Sequence, residues 1–65
     1  MEIIEFKSYN DNFPMAFIVD KIVAFSPSQV EENKTRIFVI SAGGENDEFL
    51  VSEKYTTVLE RLNSL

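Results

Sequence analysis

The sequence predicts a small α+β domain spanning residues 1–65: an antiparallel sheet of four to five strands with one C-terminal helix packed on one face. Three observations predict it. The run Thr35-Arg36-Ile37-Phe38-Val39-Ile40 is β-branched and aromatic and carries apolar side chains on both alternating faces, as a central strand does. Gly43-Gly44 separates that run from a second apolar run, which is a hairpin signal because glycine takes positive φ without steric cost. Tyr55, Val58, Leu59 and Leu62 recur at i, i+3, i+4 and i+7, the apolar stripe of an amphipathic helix.

Glu2-Ile3-Ile4-Glu5-Phe6-Lys7 alternates, with Ile4 and Phe6 on one side and Glu5 and Lys7 on the other, and reads as a half-buried strand. Tyr9-Asn10-Asp11-Asn12 supplies turn residues that tolerate left-handed backbone angles. Pro14 lacks an amide hydrogen, which places it at a strand start or a sheet edge. Met15 to Phe25 is an apolar run with one charged pair, Asp20-Lys21, which divides it into strands over Met15–Val19 and Ile22–Phe25. A helix grouping Phe17, Lys21, Ala24 and Phe25 competes, but the β-branching of Ile18, Val19, Ile22 and Val23 favours strand.

Ser26-Pro27-Ser28 ends the run, and Gln29 to Lys34 reads as a polar loop. Beyond the glycines, Asp47 to Val51 returns antiparallel with Phe49 and Val51 inward and Leu50 on the opposite face. Ser52 is the expected N-cap of a helix from Glu53 to about Asn63, with Lys54, Thr57, Glu60 and Arg61 outward. Asn63 is expected to supply a left-handed stop, and Leu65 to fold back onto the core.

At 65 residues the chain is one domain near the lower size limit for folding alone. It has no Cys and no His, which removes disulfides and thiolate or imidazole zinc sites as reinforcement. Association with a second copy remains, so a homodimer is expected. The same absence removes the two side chains most used for proton transfer and nucleophilic attack near neutral pH. The chain reads as not an enzyme, with no cofactor, no bound metal and no small molecule evident. Its formal charge of −5 repels phosphate backbones and anionic lipid, and its basic residues stand singly. Nucleic acid and membrane are therefore not expected partners. Met1-Glu2 opens no signal peptide and no apolar run approaches a bilayer span, so a soluble cytoplasmic protein is expected.

The acidic residues Glu45, Asp47, Glu48 and Glu53 lack the spacing of a calcium loop, as does Asn10-Asp11-Asn12, and read as solvated turns. Phe6, Phe17, Phe38 and Phe49 read as core, with Phe13 and Phe25 near loops. A helix can cover only one side of the central strand. Phe38, Ile40 and Leu50 are thus candidate interface residues on the other.

The residues Phe17-Ile18-Val19-Asp20-Lys21-Ile22, the strand Thr35 to Ile40, Gly43-Gly44 and Phe49-Leu50-Val51-Ser52-Glu53 leading into Val58 resemble, in order, the FlbD-type small proteins associated with flagella. The resemblance covers about two thirds of the chain and implies short β-strand repeats closed by one helix. LytTR-type DNA-binding domains show a similar pattern but are longer and more basic. This chain departs from both in its polar insertion at Gln29 to Lys34, its extra N-terminal strand and its acidity. Neither family supplies a catalytic motif to carry over.

The expected function is a non-enzymatic protein–protein interaction module, homodimeric through a sheet face or edge. Two alternatives stand beside it. One is an acidic regulator that mimics nucleic acid, presenting Glu31, Glu32, Glu45, Asp47 and Glu48 to a basic partner. The other is a minimal carboxylate-based enzyme or ligand-binding protein, which requires a concave site.

Overall fold

A computed structural model describes residues 1–31 and 33–65. The chain forms β1 (Ile3–Lys7), β2 (Pro14–Ile18), a 3-10 turn (Val19–Lys21), β3 (Ile22–Pro27), β4 (Thr35–Ile40), β5 (Asn46–Val51) and α1 (Tyr55–Asn63). The strands make two antiparallel sheets, β1-β2 and β3-β4-β5. The expected single sheet of four to five strands is corrected by this arrangement. The 3-10 turn at the Asp20-Lys21 pair breaks the ribbon between β2 and β3. On the other side one antiparallel bridge, Ser8 with Val51, links the sheets. Around it the Ser52 N–H donates to the Lys7 carbonyl (2.9 Å) and the Tyr9 N–H to the Leu50 carbonyl (3.2 Å).

The turns follow the chemistry of their residues. Between β1 and β2, Asn12 takes a φ of 58° and the Asp11 carboxylate accepts the Phe13 N–H, as Asn and Asp favour in tight loops. Pro14 opens β2, where its missing N–H faces away from a ladder partner. The β4–β5 hairpin closes with the Ser41 N–H on the Glu45 carbonyl (2.8 Å) and the Gly44 N–H on the Ser41 carbonyl (2.9 Å). Gly44 there holds a φ of 85°, a left-handed position that a residue with a Cβ occupies only at a cost. In the β3–β4 loop the Ser28 hydroxyl accepts the Val30 and Glu31 N–H groups, and Asn33 is left-handed at φ 64°.

Core residues come from alternate positions of every layer: Ile4 and Phe6 of β1, Phe17 of β2, Ile37 of β4, Val51 of β5 and Val58 of α1. Phe6, Phe17 and Phe49 meet edge-on in sequence, at centroid distances of 6.0 and 5.7 Å, and so carry the core from one sheet to the other. The central strand is β4, as expected, with β3 and β5 on either side. Its Thr35 and Ile37 are fully buried. Phe25, expected near a loop, instead points inward and stacks on Tyr55 at 5.5 Å.

The helix begins later than its sequence suggests. Ser52 does not cap it, because its N–H and its hydroxyl (3.4 Å) both serve the Lys7 carbonyl at the junction of the sheets. Lys54 is the extended residue before the first turn and gives no side-chain cap. At the other end Asn63 is helical, Ser64 follows in the right-handed region, and Leu65 is exposed rather than folded back. The buried stripe is also rotated. Val58 is buried and Tyr55 and Leu62 are half-buried, but Leu59 is 44% exposed while Arg61, expected outward, lies half-buried over the Phe6 ring. No helix among the described residues is long and apolar enough to cross a membrane.

Candidate interaction surface

Because side chains alternate along a strand, the register of β3-β4-β5 decides what the face opposite the helix presents. Arg36, Phe38 and Ile40 of β4 lie opposite Leu50, Glu48 and Asn46 of β5, and Ser26 and Ala24 of β3 pair with Arg36 and Phe38. These residues share the outer face, so Phe38, Ile40 and Leu50 lie on one side, with the Phe38–Glu48 pair between Ile40 and Leu50. Ile40 is 36% exposed, whereas Phe38 and Leu50 are half-buried. At the bulge between Ile22 and Ala24, Val23 adds an exposed apolar side chain nearby.

Phe38 is not bare. The Arg36 guanidinium carbon sits 5.2 Å from the centre of its ring, and Arg36 Nε is held by Glu48 Oε2 at 2.6 Å. A cation over an aromatic face is attracted by the ring quadrupole, and the carboxylate fixes the cation there. The Leu50 end of the face is bounded by Tyr9 and by residues 28–31 of the β3–β4 loop, which with Arg36 and Glu48 enclose a shallow recess of about 300 Å³.

The acidic residues are spread over three places. Glu45 lies in the β4–β5 turn, Asp47 and Glu48 lie on β5, and Glu31 lies in the β3–β4 loop, all exposed. Glu48 is committed to Arg36 and Glu53 to Arg61 Nη1 at 2.8 Å. Glu32, from the same acidic set, lies outside the described residues. Among the described residues no group of three or more carboxylates gathers as a metal site would require.

Two further concavities frame the molecule. A cleft of about 440 Å³ lies between β1 and the approach to α1, lined by Glu5, Phe6, Lys7, Ser52, Glu53 and Arg61. Its floor is the Phe6 ring under Arg61, at 4.6 Å. An apolar groove of about 330 Å³ runs along β2, between Met15, Phe17 and Ile18 on one side and Val39 and Phe49 on the other. Sequence reasoning missed this groove. It arises because the helix covers the inner faces of the sheets at the Val51 and Val58 end and leaves the Val39 and Phe49 end uncovered. Phe49, expected inward as core, instead lines this groove at 36% exposure, and the polar Asn46-Asp47-Glu48 run before it was the legible sign that this end of β5 is not covered.

Compared with known protein families, with curated proteins and with solved structures, the chain matches none.

Proposed function

We propose that the protein is a cytoplasmic, non-enzymatic protein–protein interaction module that works as a homodimer and makes its contact through a sheet face or a sheet edge. The observation that supports this reading is the outer face of β3-β4-β5, where Phe38, Ile40 and Leu50 share the side opposite the helix around the Arg36–Glu48 pair. Apolar side chains left open on so small a surface, Ile40 and Val23 exposed and Phe38 and Leu50 half-buried, favour association over contact with water. The chain's composition supports it too, since 65 residues without Cys or His have no covalent or imidazole-bound metal reinforcement. Catalysis receives no such support: two of the carboxylates nearest to hollows, Glu48 and Glu53, are engaged by arginines.

Size-exclusion chromatography with light scattering across a range of concentrations tests the reading. A dimer that dissociates on dilution is the expected result, and a monomer at every concentration overturns it. The same measurement on Phe38→Glu separates face from edge, because a charge at the centre of the face dissociates a face-to-face pair and leaves an edge-to-edge pair intact.

A further inference from the structure

The bonds that bracket the first hairpin fix the direction of each peptide group in β2. The Ser8 N–H donates to the Phe13 carbonyl (2.8 Å) and the Val19 N–H to the Glu2 carbonyl (3.0 Å), and antiparallel ladders alternate with a period of two. Phe13, Met15, Phe17 and Val19 therefore turn their main-chain groups toward β1. Ala16 and Ile18 turn theirs the other way, to a side on which no strand pairs with β2 among the described residues.

Among the described residues four strand edges remain open, on β1, β2, β3 and β5; β1 and β5 meet at the Ser8–Val51 bridge and carry the exposed charges Glu5, Lys7, Asp47 and Glu48, which discourage strand addition. β3 is interrupted by the bulge between Ile22 and Ala24 and ends on Pro27, features that discourage strand addition. β2 pairs with β1 without a bulge, and its proline sits at its first position. It therefore offers an uncharged strand edge blocked only at its first residue.

We propose that this edge pairs with the same edge of a second copy of the chain, antiparallel about a two-fold axis through Ala16. The proposal rests on the self-associating reading above and names the surface that carries it. In this register Ala16 faces the partner's Ala16, Pro14 faces Ile18 and Met15 faces Phe17. Each Ala16 N–H donates to the other Ala16 carbonyl, and each Ile18 N–H donates to the carbonyl of the opposing Pro14. The edge is self-complementary, as a two-fold interface requires. Pro14 forfeits only the return bond to Ile18.

Side chains and charges agree with a second copy as the occupant. Met15 and Phe17 become a non-hydrogen-bonded pair, the closer kind, on the face that opens into the apolar groove walled by Val39 and Phe49. The small Ala16 side chain lies on the axis, where two bulky copies of one residue would collide. Asp11 precedes the strand and Lys21, which lines the groove, follows it next to Asp20. Antiparallel pairing sets each Lys21 at the end occupied by the partner's Asp11, whereas parallel pairing would set like charges together.

Sedimentation equilibrium on the full chain and its variants is the test. Ala16→Pro removes an N–H that the β1 ladder does not use, so the far-UV circular dichroism is expected to hold while the dimer weakens about tenfold or more. Lys21→Asp is expected to weaken the dimer about threefold to tenfold, and Lys21→Asp combined with Asp11→Lys to restore it. Because the Asp11 carboxylate also holds the Phe13 N–H, the double exchange is read against Asp11→Asn, which keeps that acceptor. Failure of Lys21→Asp with Asp11→Lys to restore affinity, with far-UV circular dichroism unchanged, or an Asp11→Asn dimer as tight as wild type, overturns the antiparallel arrangement. A dimer indifferent to Ala16→Pro and Lys21→Asp but dissociated by Phe38→Glu overturns the edge and leaves the module reading standing. A wild-type chain that never dimerises overturns both.

Discussion

The Thr35 hydroxyl donates to the Glu53 carbonyl at 2.6 Å, joining the first residue of the central strand to the segment that leads into the helix. Thr35 is the only polar residue among the fully buried side chains described, and this bond is what satisfies it. It also explains how a helix without a side-chain cap is held in place: the carbonyl just before its first turn is anchored from across the core.

Thr35→Val, nearly the same shape, is expected to cost about 1–3 kcal/mol, because it leaves the Glu53 carbonyl without its donor. Thr35→Ser keeps the hydroxyl and is expected to cost less, losing only a methyl group. Urea unfolding followed by circular dichroism checks both, with the slope unchanged and the midpoint shifted. A loss for Thr35→Ser with none for Thr35→Val would show that the methyl group, not the hydroxyl, matters.

Arg61 acts through its body as well as its charge. Its guanidinium carbon is 4.6 Å from the Phe6 ring centre, and its Nη1 meets Glu53 at 2.8 Å. Arg61→Ala is expected to destabilise the fold by about 1–2 kcal/mol, most of it from uncovering Phe6. Arg61→Met is expected to recover part of that loss. With Glu53 partly exposed, Glu53→Gln should cost less than 1 kcal/mol, and less again in high salt. Thermal unfolding of the three variants at two salt concentrations measures the division.

The adjacent glycines are expected to respond oppositely. A Cβ at either position meets no atom within 4 Å, so the difference comes from backbone conformation alone. Gly44→Ala forces an L-residue to φ 85° and should cost about 1–2 kcal/mol. Gly43→Ala carries no such strain and should be neutral or stabilise by about 0.4–1 kcal/mol through the unfolded chain. Melting temperatures of the two variants decide it.

Much of the fold was legible because local pattern and final environment agree. Alternation gave β1 its buried Ile4 and Phe6, β4 its two-sided character, and the Asp20-Lys21 pair its place at the break between β2 and β3. What escaped depends on contacts distant in sequence. Ser52 has the composition of a cap, yet a strand arriving from Lys7 takes its hydrogen bonds. Arg61 was placed outward by its charge, but its aliphatic stem lets it lie on Phe6 while its head reaches Glu53. Phe38 read both as core and as an interface residue, yet it lies half-buried on the outer face, because nothing in a linear pattern announces that Arg36, two residues before it on the same face, is pinned over it by Glu48. The division into two sheets was invisible for a related reason: a corner made by Ser8 and Val51 leaves no periodic trace.

That corner has a kinetic consequence. Lys7 and Ser52 are 45 residues apart, so closing the chain between them costs about 3 kcal/mol of loop entropy, whereas each hairpin closes over a few residues. The N-terminal hairpin and the three-strand meander are therefore expected to assemble first as local units and to dock afterwards. Amide exchange at Tyr9 and Ser52, whose N–H groups bond across this seam, is accordingly expected to be faster than at Ile37 within the central strand.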